Sequence, residues 1–206
     1  DLNTIYFKGT WLKQFEKDST RQDNFTLADG SSVQVDMMFG SEFQAGLHHG
    51  NGKRLLALPY KGGDIKFVIE LPENRKLDNS SEELVLAAAA APLNEVDIFL
   101  PKFKAQFKAE ISEVLKKLGC QAIYHKGGLK GVSDKDIKVT SVVHQAFIQV
   151  DELGTEAAAV TAVTFSVQCF RERAMFKADS PFFYHIVDCK NKLILFSGSV
   201  SKPEFK

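Results

Sequence analysis

Glu152–Leu153–Gly154–Thr155–Glu156–Ala157–Ala158–Ala159–Val160–Thr161–Ala162–Val163–Thr164 is the stretch on which the fold of this chain turns. Alanine is the best helix former and Thr155 suits a helix N-cap, so propensity alone favours a surface helix. Two features oppose that. Val160, Thr161, Val163 and Thr164 are β-branched and prefer strands. No strong apolar stripe recurs at helical spacing. Read with period two, Thr155, Ala157, Ala159, Thr161 and Val163 share one face, small and uncharged throughout. A strand of that kind slips between two existing strands without burying a charge. Gly154 lets the chain turn before it.

Outward from this stretch, strand patterns dominate. Thr4 to Trp11 is rich in β-branched and aromatic residues and is broken by Gly9. Ser32 to Met37 alternates polar and apolar after the turn Asp29–Gly30. Arg54 to Tyr60 and Lys66 to Leu71 flank Lys61–Gly62–Gly63–Asp64, a hairpin with a four-residue connection. Ile137 to Val150 is largely apolar, with Val139, Val143, Phe147 and Ile148 expected in the core; Phe182 to Val187 and Leu193 to Phe196 close the chain. Two helices are predicted. Ser80 and Glu83 have capping-box form ahead of Leu84 to Ala91, and Pro92 stops that helix. The second runs from about Ala109 to Leu118, where Ile111, Val114, Leu115 and Leu118 fall on one face and Gly119 suits the C-terminal cap. No Pro-, Gly- or Ser-rich linker divides the chain, so it reads as one α+β domain.

Composition narrows the function. The 206 residues balance 26 Lys and Arg against 26 Asp and Glu, which points to neither nucleic acid nor an anionic membrane as partner. No apolar run approaches the ~20 residues of a membrane helix. Three cysteines, Cys120, Cys169 and Cys189, are odd in number and form no disulfide framework. Asn24–Phe25–Thr26 and Asn79–Ser80–Ser81 have the form of glycosylation acceptors and mildly favour secretion. The chain opens on a strand already under way, which suggests that upstream sequence belongs with it. Enzyme readings fail. The adjacent His48 and His49 point to opposite faces of a strand, no metal-ligand spacing or phosphate loop is present, and no cofactor is implied. Cys169 lies in a polar stretch rather than on the rigid turn a nucleophile needs.

The succession of motifs resembles the serpins, from Asn3 to Phe205. Asn3 with Tyr6–Phe7–Lys8–Gly9–Thr10–Trp11 and Phe15 looks like that family's central-sheet strand and its tryptophan. Phe25, Val35–Asp36–Met37–Met38, Leu58–Pro59–Tyr60, Leu71–Pro72, Leu100–Pro101–Lys102–Phe103 and Leu115 to Gly119 follow in family order. Val142–Val143–His144–Gln145–Ala146 is close to the family's His-Lys-Ala block, with Gln145 in place of lysine. Gly154 to Ala159, Ala178–Asp179–Ser180–Pro181–Phe182 and Gly198 to Pro203 complete the series. Leu153 and Val160 are more apolar or bulkier than the family pattern.

The resemblance implies a serpin fold of which this chain is the C-terminal portion of a single domain, with a reactive-centre loop at about 152–176. A complete serpin is nearly twice as long, so the N-terminal portion is an implied partner. The implied activity is suicide inhibition of a serine endopeptidase: the loop is attacked as bait, and its hinge side then inserts into the central sheet. About ten new backbone hydrogen bonds at ~1 kcal/mol each drive insertion. The hinge residues are Glu152, Gly154, Thr155, Glu156, Ala157, Ala158 and Ala159. Asn3 and His144 match a polar cluster beneath the sheet, and Lys102 with Glu152 an ion pair beside Trp11; the implied insertion gate is Asn3, Trp11, Lys102 and His144. Family spacing makes Gln168–Cys169 the reactive bond. Phe170 would instead suit a chymotrypsin-like target and Arg171 or Arg173 a trypsin-like one; Cys169 leaves a cysteine protease open. A non-inhibitory carrier, chaperone or binding module is the alternative. Location is expected to be extracellular, with a cytoplasmic serpin as the other reading.

Overall fold

The computed structural model describes residues 2–155 and 173–205. In chain order the strands are β1 Leu2–Tyr6, β2 Gly9–Thr10, β3 Arg21–Thr26, β4 Ser32–Gly50, β5 Lys53–Pro59 and β6 Ile65–Pro72. Helix α1 Glu82–Ala90 leads to β7 Leu93–Pro101 and β8 Phe103–Glu110, then to the short α2 Ser112–Lys117. The chain continues with β9 Val143–Asp151, β10 Gly154–Thr155, β11 Ala174–Lys177, β12 Phe182–Asp188 and β13 Leu193–Val200. These are mixed sheets with few helices, the expected α+β class. The chain divides into two compact units, residues 1–7 with 105–148 and residues 8–104 with 149–206.

In the smaller unit β1 pairs in parallel with β9, from Leu2–Val143 to Tyr6–Phe147, with nothing between them. The Tyr6 and Phe147 rings stack at 6.2 Å. Helix α2 is shorter than the periodicity predicts. β8 runs on to Glu110, whose carboxylate accepts from Ser112 N–H and Val142 N–H, so the strand ladder claims residues 109–110. Val114 and Leu118, the expected inner face of that helix, are exposed. Of the four residues expected in the core here, Ile148 is buried, whereas Val139, Val143 and Phe147 are half-buried.

The larger unit holds an eight-stranded sheet in the order β11-β7-β4-β5-β6-β12-β13, with β3 on β4. The predicted hairpin is present as β5 and β6, in register from Lys53–Pro72 to Pro59–Lys66. Both faces of β5 are covered, as its near-continuous apolar run requires. Leu55 and Ala57, with Val68, pack beneath Val85 and Ala88 of α1. The other side of the sheet carries the large aromatic core, including Trp11, Phe25, Phe43, Phe67, Phe103, Phe176 and Phe182.

Two local readings are corrected. The N-cap of α1 is Ser81, whose hydroxyl accepts from Leu84 N–H, and not Ser80. Ser80 instead joins a buried polar cluster, donating to Glu70 and lying 3.2 Å from His185 Nε2. Burial pushes the Glu70 carboxyl up, but His185, Lys53 and Ser80 outweigh it and bring it down to about 2. Strand β4 extends 13 residues past Met37, to Gly50, through a bulge between Gly40 and Phe43. Gly40 does not interrupt it: a Cβ there would meet the Phe43 ring at 2.1 Å, so glycine serves close packing. Glu42, at φ 58°, turns the bulge and donates its N–H to Asp97.

Candidate functional site

Strand β9 ends at Asp151, turns through Glu152–Leu153 and returns as β10. Gly154 pairs with Asp151 and Thr155 with Val150. The other edge of β10 pairs with β2, Gly154 to Thr10 and Thr155 to Gly9. The first two residues of the latent strand are thus already seated between two strands. Gly154 has φ 144°, and a Cβ would meet Gly9 O at 2.1 Å and Thr10 Cα at 2.8 Å. Glycine is required both for the turn and for the approach of a neighbouring backbone.

Polar contacts hold the turn from every side. Trp11 N donates to Leu153 O at 3.1 Å and Phe15 N to Glu152 O at 3.0 Å. The indole Nε1 of Trp11 donates to Asp151 O at 2.9 Å, and Gln14 Nε2 to Leu153 O at 3.3 Å. The Asp151 carboxylate accepts from Leu153 N at 2.9 Å and Gln149 Nε2 at 3.2 Å. Trp11 is fully buried, stacked on Tyr60 at 4.6 Å with its edge contact to Phe67.

Glu152 is 5% exposed. One oxygen accepts from Thr20 Oγ1 at 2.8 Å and the other meets Lys102 Nζ at 3.1 Å. Burial pushes the Glu152 carboxyl up, but its own backbone N–H, the Thr20 hydroxyl and the Lys102 ammonium outweigh that and hold it below the usual range. The pair is therefore a partly buried element rather than a solvated surface contact. Thr155 is 0% exposed and its hydroxyl lies 2.7 Å from the Tyr60 hydroxyl. Burial pushes the Tyr60 hydroxyl well up, opposed only in part by Thr155, so the pair is neutral. The arrangement is a clamp that fixes the root of a strand.

A family profile described as "Serpin (serine protease inhibitor)" matches residues 2–203. This chain belongs to the serpin family. It is 36% identical, over 99% of its length and 50% of the relative's, to a serpin-like protein of Methanosarcina mazei. Among solved structures it matches Serpin48 of the insect Tenebrio molitor with TM-score 0.78 and 28% identity, covering 98% of this chain and 56% of that one. It matches human thyroxine-binding globulin complexed with thyroine with TM-score 0.79 and 27% identity, covering 98% and 55%. The chain spans about half the length of the curated relatives it matches.

In this serpin chain the remaining predicted positions fall as follows. Asn3 and His144 face each other in the β1–β9 register, with Nδ2 and Nδ1 3.5 Å apart. Among the described residues Asn3 is exposed and His144 half-buried. Glu156, Ala157, Ala158, Ala159, Gln168, Cys169, Phe170 and Arg171 lie outside the described residues. Asn24 and Asn79 are exposed. Among the described residues no helix is long and apolar enough to cross a membrane.

Sequence reasoning missed two parts of the site. Thr20 and Tyr60 contact the hinge across long sequence separations, with no local motif announcing it. Arg173, weighed above as one alternative for a trypsin-like target, is gripped by acidic and hydroxyl partners. Its guanidinium lies 2.9 Å from Ser41 Oγ, 2.9 Å from Glu42 Oε1 and 3.7 Å from Asp97 Oδ1. Lys13 Nζ, 2.8 Å from Ser41 O, holds the same bulge from another side. The β4 bulge therefore presents an acidic socket for the residue that precedes β11.

Proposed function

We propose that this serpin chain carries the bait loop and hinge of a protease inhibitor, acting on a chymotrypsin-like or trypsin-like endopeptidase. The observation that carries the reading is Thr155, buried and paired on both edges while the small-faced sequence continues beyond it. Insertion extends this two-residue strand and requires β1 to part from β9 along their five paired residues. Each inserted residue gains partners on two sides where one ladder was lost, so the balance favours the inserted state. The uncleaved form is then held by kinetics. The exposed apolar side chains of the smaller unit, among them Phe107 and Leu118, support a role for the rest of a serpin domain in covering them. The exposed Asn24 and Asn79 support secretion; a glycosidase-sensitive mass on the secreted protein tests that.

The activity test mixes the protein, completed by the remainder of a serpin domain, with a panel of endopeptidases on a denaturing gel. A covalent complex supports inhibition, and mass spectrometry of the released peptide places the bond, expected at Gln168–Cys169 with Phe170 and Arg171 as alternatives. Thr155→Arg is expected to convert the inhibitor to a substrate. Because Thr155 is already buried, Ala157→Arg is the cleaner companion. Stable complex surviving both changes would overturn the mechanism. A carrier is the second reading, favoured by a cleft of about 420 Å³ lined in part by Ser80, Phe183, His185 and Ser197; cleavage without complex on the same gel selects it.

A further inference from the structure

We propose that a second cleft, between β5 and β11, is a binding site for a small organic acid with a flat apolar body and one carboxylate. The cleft measures about 310 Å³, and its walls include Leu47, His49, Arg54, Met175 and Phe176. That volume is at the lower end for ligand sites, matched to a ring system rather than to a peptide or a nucleotide.

Arg54 defines the chemistry. It is half-buried, and its guanidinium carbon lies 5.7 Å from the centroid of the buried Phe176 ring. No acid pairs with it among the described residues. Three other buried or half-buried cations each have a carboxylate within 4 Å: Lys53 has Glu70, Lys102 has Glu152, and Arg173 has Glu42. The rim acid Glu73 is engaged by His49 at 3.7 Å, and both of those side chains are largely solvated. Arginine stays charged under all ordinary conditions, and its planar fork of N–H donors matches a carboxylate. Phe176 supports one side of the guanidinium by cation–π attraction and leaves the fork for a ligand.

The remaining walls favour the apolar body. Leu47, half-buried, offers carbon surface above the buried Phe176 ring, and Met175, 62% exposed, is a flexible thioether that adapts to a ring edge. Phosphate or acetate alone would satisfy Arg54 and leave that surface wet. A neutral arene would cover the surface and leave Arg54 unpaired. A ligand carrying both groups does both, and it bridges β5 to β11, the strand that follows residue 173.

The test uses the full chain and 1-naphthoate, followed by saturation-transfer NMR and calorimetry. Saturable binding is expected, with 1-naphthalenemethanol and inorganic phosphate each at least about tenfold weaker, the worth of one charge-assisted contact. Arg54→Met keeps an apolar stem and removes the charge, and it should weaken naphthoate by about tenfold while leaving the weak naphthalenemethanol affinity unchanged. Met175→Glu, at an exposed position, is expected to weaken naphthoate to a similar degree by repulsion; it serves if Arg54→Met does not fold. Binding unaffected by either folded variant, equal affinity for the neutral analogue, equal affinity for phosphate, or no saturable naphthoate binding would each overturn the proposal.

Discussion

Gly154→Ala isolates the contact on which the hinge depends. The φ of 144° is backbone that only glycine enters freely, and forcing another residue there costs about 1–3 kcal/mol. The added Cβ would sit 2.1 Å from Gly9 O, and the 3.0 Å that real contacts respect demands a shift of 0.9 Å (3.0 minus 2.1). Both clashing atoms belong to backbone, so no side chain can swing away. The shift has to open the β2–β10 ladder, in which Gly154 pairs with Thr10 and Thr155 with Gly9. Losing about two net hydrogen bonds adds ~2 kcal/mol, for a total of about 3–5 kcal/mol. In a chain of this size that lowers the thermal midpoint by roughly 6–20 °C.

Gly30→Ala is the matched control. Gly30 also has positive φ, 86°, but a Cβ there meets nothing within 4 Å. It should cost about 1 kcal/mol, the backbone share alone. Thermal and urea unfolding measure both variants, and the single tryptophan, Trp11, provides a local probe through its stacking on Tyr60 and its bond to Asp151 O. Gly154→Ala should shift Trp11 emission to the red in the folded state, and Gly30→Ala should not. Equal destabilisation by the two variants, with unchanged Trp11 emission, would show that the close approach to Gly9 carries no energy.

Two further outcomes follow from the ion pairs. The Glu152 carboxyl is held below its ordinary value, so its stabilisation is complete above the unfolded carboxylate range and is lost as pH falls through the lowered folded value; Glu152→Gln should flatten that part of the urea midpoint between pH 6 and pH 3, and an unchanged acid slope would refute it. Arg173→Ala removes the guanidinium that lies 2.9 Å from Glu42 and 3.7 Å from Asp97, which should loosen β11 by about 1–3 kcal/mol and speed amide exchange at Ala174–Lys177, with Arg173→Lys intermediate; exchange no faster than in the parent would refute it.

Legibility in the sequence followed the range of the interactions. The β5–β6 hairpin and the stop at Pro92 are local, governed by turn chemistry and a missing N–H, and they were readable residue by residue. The length of β4 was not. Gly40, Gly46 and Gly50 look like interruptions, yet a Cβ at Gly40 would meet the Phe43 ring of the same strand, and one at Gly46 or Gly50 would meet Ala88 or Leu84 of α1. The start of α1 was misplaced by one residue because Ser80 and Ser81 are equivalent caps on paper. Glu70, 10 residues before it, and His185, 105 residues after it, decide that Ser80 turns the other way. The Lys102–Glu152 pairing came from family resemblance, since 50 residues separate the two with no pattern linking them. Its burial, and the Tyr60–Thr155 contact, required coordinates.

The two ends of segment 156–172 are tied by different means, and the difference bears on what cleavage within it would do. Downstream, Arg173 is locked in the bulge of β4 and β11 is paired along Ala174–Lys177 with β7. Cleavage removes neither hold, so the distal piece stays where it is. Upstream, Glu152 is fixed by Thr20 and Lys102, and among the described residues the pairing reaches Thr155. After Glu156 the sequence continues with Ala157, Ala158 and Ala159, and the face that Thr155 shares with Ala157 and Ala159 is small and uncharged, which suits continuing the ladder that Thr155 has begun. A cut therefore frees the side whose sequence suits a buried strand and leaves anchored the side that carries Arg173. The asymmetry is built from two partly buried ion pairs, one on each side, and from one glycine whose missing Cβ lets the ladder start.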